Sequence, residues 1–191
     1  GAADYTICYY RQDFGRLNAD KDSYGVPRSK SIQTTPAHQL ALAAVYYSPL
    51  QYMYWYDKPS DAQDEPELKF FDDVYTTWDD TKVLQGEVGE FITIARRKGE
   101  EWFIGSITNN EARALSVSLD FLPEGKNYIA EIYTDGDTSV KTRTKVRVST
   151  YRVSNKTRLN FCLKASGGSA VRLVPDDGNI KSVKNYKQQR L

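Results

Sequence analysis

Residues 90 to 108 read EFITIARRKGEEWFIGSIT. Two runs rich in β-branched and aromatic residues, "EFITIARR" and "EWFIGSIT", flank Lys98-Gly99-Glu100. A short glycine-containing break between two such runs is a hairpin signal. Neighbouring strand residues point to opposite faces, so of the adjacent Trp102 and Phe103 at least one must face a core. The same period continues downstream. In "LSVSLDFL", Leu115, Val117, Leu119 and Phe121 face one way, and Ser116, Ser118 and Asp120 the other. "PEG" follows as a turn, then "NYIAEIY", a second turn at "TDGD", and the runs "TKVRVSTYRV", "RLNFCLK" and "SAVRLV". About seven short strands separated by turns predict a mainly β fold, an antiparallel β-sandwich.

Upstream the pattern changes. "TTPAHQLALAAVYYSPLQYMYWYDKP", residues 34 to 59, reads as a helix with almost no polar side. Thr34 or Thr35 can cap it, and Pro36 suits the first helical position, where its missing N–H costs nothing. From Ala37 to Tyr47 only His38 and Gln39 are polar. Such a helix is buried on all sides or sits in a membrane. The uncharged run from Leu40 to Tyr56 is broken by Ser48, Pro49 and Gln51 and falls short of the roughly 20 apolar residues of a span. Burial in a larger soluble fold is therefore expected, with Ser48-Pro49 kinking or ending the helix. Residues 1 to 10 read as a short buried strand and 11 to 33 as a polar loop. Strand plus helix is the repeating unit of a β/α barrel, and one unit cannot bury its own faces. The expectation is a helix whose packing partner lies outside the chain, so that residues 36 to 56 self-associate or dock on a partner. The organisation read from sequence is an incomplete barrel end over 1–56, a connector over 57–82, the sandwich over 83–174 and a basic tail over 175–191.

Hydrophobic residues make up 40% of the 191 and charged residues 27%, which is globular composition. The net charge of +1 gives no global pull toward nucleic acid or an anionic membrane. Lys181, Lys184, Lys187 and Arg190 make the tail basic, which reads as a solvated terminus. Cys8 and Cys162 are too few for a disulfide framework or a zinc site. "GAADYTICYY" lacks the basic start and apolar run of a signal peptide.

Candidate chemistry is sparse. His38 is the only histidine and reads as a first-turn residue held by packing and a backbone hydrogen bond, since one histidine makes no metal site. Asp57, Asp61, Asp64, Glu65 and Glu67 lack the spacing and glycine of a calcium loop, so they read as a solvated connector and no metal ligand is assigned. Trp78 and Trp102 are candidates for stacking on sugar rings, or for core or domain-interface packing. Asp4 and Tyr5 end the first strand, where a barrel carries its active-site loops. No nucleophile elbow, phosphate loop or CxxC is present.

The stretches "DYT", "TTPAHQLALAAVYYSPLQ", "TTWDDTKVLQGEVGEFITIARRKGEEWFIGSITN" and "LDFLPEGKNYIAEIYTDG" resemble the C-terminal end of glycoside hydrolase family 97, from about Asp4 to Val174. The resemblance implies an N-terminal β-sandwich, a central (β/α)8 barrel and a C-terminal β-sandwich. "AHQLALAAVYYSPLQ" looks like the last barrel helix and "ADYTICYY" like a late barrel strand. It also implies calcium-dependent α-glucosidase or α-galactosidase activity, largely in gut Bacteroidetes and typically periplasmic. The family's catalytic carboxylates and calcium ligands come from earlier segments, so no catalytic residue is carried over. Asp4, Tyr5 and Thr6 match the family's "DYTPG" stretch beside the sugar pocket. Ile7-Cys8 depart from Pro-Gly there, which leaves glucose or galactose preference open.

The expected function is that of a C-terminal part of a family-97-like α-glycosidase, structural and inactive alone. Its partners would be the rest of the barrel and, through the whole enzyme, an oligosaccharide. The alternative is a stand-alone carbohydrate-binding β-sandwich.

Overall fold

The computed structural model describes residues 5–8, 34–55, 65–142, 144–180 and 182–188. In chain order the elements begin with strand β1 (Tyr5–Cys8), helix α1 (Pro36–Val45) and strand β2 (Gln51–Tyr54). A 3-10 turn, Pro66–Leu68, leads into the short helix α2 (Lys69–Asp73). Then come β3 (Asp80–Glu87), β4 (Phe91–Lys98), β5 (Glu101–Thr108) and β6 (Arg113–Ser118). The last four are β7 (Asn127–Asp135), β8 (Val146–Ser154), β9 (Arg158–Leu163) and β10 (Gly168–Pro175). Six strands form one antiparallel sheet in the order β3-β4-β5-β10-β7-β8, and β6 pairs antiparallel with β9. The mainly antiparallel β-sandwich read from the sequence is present.

The core between the two sheets holds Trp102, Ile104, Val171 and Leu173 of the large sheet against Leu115, Val117, Leu159 and Phe161 of the small one. Leu115, Val117 and Leu119 are buried together, as their alternation requires. A second core lies on the opposite face of the large sheet. There Phe103, Tyr133 and Ala170 meet α1, Trp55 and Phe70. Both members of the Trp102-Phe103 pair are therefore in a core, one on each face. Buried on both sides, β5 has no polar face for water, which is why "WFIGSI" reads as a near-continuous apolar run.

The expectation that α1 lacks a partner within the chain is overturned. All ten of its residues are buried, and it packs on β4, β5, β7 and β10 of the chain's own sheet. The apolar sequence required burial but carried no information about what provides it. Two glycines explain the fit. A Cβ at Gly105 would lie 2.5 Å from the Ala41 carbonyl oxygen, and one at Gly168 would lie 2.5 Å from His38 Cα. Bare glycine on two neighbouring strands lets the alanine-rich helix approach the sheet backbone.

The helix ends at Val45, before Ser48-Pro49, and residues 51–54 form β2, parallel to β1. This is the parallel strand-helix-strand arrangement of a β/α unit. The expected self-association segment, 36–56, is accordingly corrected. Its helical part is buried, and its exposed apolar side chains, Tyr46, Tyr47, Leu50, Tyr52 and Met53, all follow the helix. Strand β3 starts at Asp80, within sequence that reads as connector. Its alternation is broken by a bulge between Val83 and Gln85, and it is an edge strand.

The basic tail is not fully solvated. Arg152 N–H donates to the Lys184 carbonyl and Tyr186 N–H to the Arg152 carbonyl, each at 2.9 Å, along the outer edge of β8. The Tyr186 ring packs edge-on against Tyr151 at 5.3 Å. The sequence showed Lys184 and Lys187, which are exposed, but not the tyrosine that docks between them.

Candidate functional site

Three arrangements could carry function: the joint between α1 and the sheet, a group of carboxyls near α2, and a groove beside the β3–β4 turn.

The joint is pinned at both ends of the helix. Thr35 caps α1, its Oγ1 accepting the His38 N–H at 3.2 Å, and Thr35 N–H donates to the Ser166 carbonyl at 3.0 Å. His38 lies buried, with its Nδ1 3.1 Å from the Gly167 carbonyl oxygen. Burial holds its imidazole below the usual 6.5, against the opposing pull of that hydrogen bond. The structure thus gives the lone histidine the packing role read from sequence. At the other end Arg96, 4% exposed, donates from Nη2 to the Val45 carbonyl at 3.0 Å and from Nε to the Ala44 carbonyl. Nη1 reaches Thr81 Oγ1 at 2.8 Å, and the guanidinium lies over the Tyr47 ring. A cation bonded to the last carbonyls satisfies orphan acceptors and complements the helix dipole. Sequence reading missed Arg96. The available signal was a charge at a position of the same parity as Ile92 and Ile94 in β4.

Arg172 ties α2 to the sheet, with Nε donating to Glu101 Oε2 at 2.8 Å and Nη1 pairing with Asp73 Oδ2 at 2.7 Å. Glu131 Oε2 lies 3.5 Å from the same Nη1. Glu65 and Glu67 sit just before α2, and both are buried, which corrects their reading as a solvated connector. Glu67 is fully buried. Its Oε1 accepts the Thr144 hydroxyl, and burial pushes its carboxyl above the usual 4.5. Contact of this turn with β8 and Thr144 provides the burial, a tertiary effect that charge pattern does not reveal. Asp57, Asp61 and Asp64 lie outside the described residues.

Of the residues singled out for sugar, Trp102 is 4% exposed and stacks on Phe121 at 4.7 Å inside the sandwich, so it presents no face to a ligand. Trp78 is half-buried against Phe103 at 5.5 Å and Tyr75 at 6.4 Å, beside α2. Tyr5, read from sequence as ending the first strand, instead opens β1, where Tyr5 and Thr6 pair with Gln51 and Tyr52, while Asp4 lies outside the described residues.

The groove, about 510 Å³, lies between the β3–β4 turn and the end of β5. Val83, Val88, Phe91, Ile92 and Ile107 line it, and Glu87 and Glu90 stand at its margin. Glu90 is paired with Arg113 at 3.0 Å.

Residues 77–174 match the family described as "Glycosyl-hydrolase 97 C-terminal, oligomerisation". Over 175 residues, 91% of the chain, the sequence is 34% identical to a retaining alpha-galactosidase of Bacteroides thetaiotaomicron. The chain belongs to glycoside hydrolase family 97. It spans 25% of that relative's length. A solved family 97 enzyme from Pseudoalteromonas sp. strain K8, in complex with acarbose, superimposes with a TM-score of 0.68 at 35% identity, covering 76% of this chain and 23% of that one. A beta-arabinopyranosidase shares the fold, with a TM-score of 0.61 at 24% identity over 83% of this chain and 23% of its own. The matched family 97 C-terminal segment encloses both sheets and leaves β1, α1 and β2 ahead of it.

Among the described residues no group of three or more His, Cys, Asp or Glu could hold a metal ion. Among the described residues, too, no helix is long and apolar enough to cross a membrane.

Proposed function

We propose that this chain is the C-terminal structural and assembly part of a glycosidase acting on α-linked galactosides or glucosides, and that it carries no catalytic carboxyl pair of its own. The state of its clustered carboxyls carries this reading. Glycoside hydrolysis needs an acid on one side of the bond and a base or nucleophile on the other, roughly 5–10 Å apart across a sugar. Glu65 and Glu67 come nearest to an acid-base pair in environment, but both are buried away from any sugar. Asp73, Glu101 and Glu131 are held around Arg172. The activity named for the Bacteroides relative favours α-galactosides.

In this reading the catalytic groups, the calcium and the sugar pocket belong to the rest of a longer enzyme, with its β/α barrel. β1, α1 and β2 form the edge that meets that barrel, offering Tyr47, Leu50, Tyr52 and Met53 as contact surface. The two-stranded parallel pair supports this, because parallel strands normally lie buried within larger sheets. The whole enzyme would work in the periplasm or outside the cell.

The test is turnover of nitrophenyl α-galactoside and α-glucoside by the purified 191-residue chain, with calcium present. The expected rate equals that of buffer. Turnover that survives repurification would place an acid and a base within this chain and overturn the proposal.

A further inference from the structure

We propose that the chain after β10, residues 176–180 and 182–186, is a strap that closes the outer edge of β8 against strand addition by another chain and latches the two sheets of the sandwich together. It lies beyond residue 174, where the match to the family's C-terminal segment ends, and the inference stands whatever the longer enzyme acts on.

The two edges of the large sheet differ. β3 is broken by a bulge between Val83 and Gln85 and carries Asp80, Lys82 and Glu87. Bulges and charges are the usual protection of an edge strand. β8 has neither a bulge nor a proline. All nine of its residues pair with β7 without a shift of register, and Val146, Val148, Thr150, Tyr151 and Val153 are strong strand formers. A long, flat edge of that composition is a template for another strand.

Arg152 gathers the strap onto this edge. Its N–H donates to the Lys184 carbonyl and its carbonyl accepts the Tyr186 N–H, each at 2.9 Å, which makes a short parallel bridge. Its guanidinium pairs with Asp176 and donates to the Ile180 carbonyl at 3.1 Å and to the Val183 carbonyl at 3.4 Å. The Asp176 side chain is 6% exposed, so water screens this pair less than an open surface pair. Five positions of the tail thus converge on one residue of β8 through both its backbone and its side chain.

The strap also joins the sheets. Arg152 has the parity of Val146 and Val148, which belong to the core beneath α1, whereas Tyr151 and Tyr186 pack on the core of the sandwich. The tail therefore passes around the edge of β8 from one face to the other. There the Tyr186 ring meets Tyr151, and its hydroxyl accepts the Asn160 N–H of β9 at 3.0 Å. One tyrosine so connects β8 of the large sheet to β9 of the small one.

Amide hydrogen exchange read by NMR on the 191-residue chain tests the strap. By alternation the Arg152 and Thr150 N–H groups leave β8 on the same side, and Thr150 has no backbone acceptor there among the described residues. In the wild type, Arg152 is expected to exchange roughly 100-fold more slowly than Thr150, a comparison that needs no variant. Tyr186→Ala should bring the two rates together and speed Arg152 more than Ile104 at the centre of the sheet. Tyr186→Phe, which keeps the ring but not the acceptor for Asn160, should fall between. Light scattering on the same samples tests the guarding of the edge. Tyr186→Ala should associate beyond the wild-type mass, and adding Thr150→Lys, which puts a charge on the bare edge, should reverse this. Equal exchange of Arg152 and Thr150 in the wild type, or equal acceleration of Arg152 and Ile104 in Tyr186→Ala, would overturn the strap. An opened strap whose mass stays at the wild-type value up to about 1 mM would overturn its guarding role, as would association that Thr150→Lys leaves in place.

Discussion

On its β6–β9 side the large sheet is covered by side chains in strict alternation, such as Leu115, Val117, Leu159 and Phe161, packed on Trp102, Ile104 and Val171. On its α1 side the cover is mixed. Alanines lie on glycines, an aromatic cluster surrounds Phe103, and polar groups fasten the edges: His38 and Arg96 at the two ends of α1, Arg172 and Glu67 around α2. The first face is held by burial alone. The second also needs donors and acceptors to meet, because it buries the ends of helices, whose first N–H and last C=O groups have no partner within the helix. A sheet face can thus be closed by a period-two strand pair almost without polar atoms, whereas a helix laid on it brings polar ends that must be satisfied.

If the two faces form one cooperative unit, Phe103→Ala should lower stability by about 3–5 kcal/mol in a single transition. Urea unfolding followed by tryptophan fluorescence and by far-ultraviolet circular dichroism would check it. Coincident curves support one unit, and a separate early transition in fluorescence would mean that the helix layer unfolds by itself. Gly105→Val tests the close approach of helix to sheet. Its Cβ would meet the Ala41 carbonyl oxygen at 2.5 Å, so a loss of about 1–3 kcal/mol is expected in a thermal melt. An unchanged midpoint would show that α1 does not rest on β5.

The smallest effect is expected at Glu67, and it depends on pH. Its folded carboxyl is raised above the usual 4.5 by burial, so the folded state binds the proton more tightly than the unfolded chain. Its contribution is fully present below that value and is lost as pH rises through the folded pKa. Glu67→Gln keeps an acceptor for the Thr144 hydroxyl without a charge to bury. At pH 7 the variant should be as stable as wild type or more stable, by up to about 1 kcal/mol, and the wild type's advantage should return only in acid. A clear loss at pH 7 would mean that the ionised carboxylate has a partner that stabilises it.

The β6–β9 face was legible in the sequence because alternation over "LSVSLDFL" states directly which side chains point inward. The N-terminal cap of α1 was legible as well, since Thr35 and Pro36 act through local backbone geometry, whereas its end at Val45 comes before the Ser48-Pro49 break that the sequence offered. The candidate surfaces were not. Val88 reads as one more apolar residue near a hairpin, and its complete exposure depends on a turn fixed by Asn109, some twenty positions away. Glu67 and Glu65 read as part of a charged connector, and their burial depends on β8 and on Thr144.

By itself the sequence determined the antiparallel strands, the buried and apolar character of residues 36 to 45, and the family, because period, propensity and motif are local properties of the chain. Only the tertiary structure decided that this helix lies on the chain's own sheet. That contact joins Ala41 to Gly105 and His38 to Gly168 across long separations in sequence. No local pattern specifies which of several compatible surfaces an apolar helix will choose. The choice is made by shape, where two bare glycines on adjacent strands meet a face of alanines, and where Arg96 at the helix end donates to its last carbonyls.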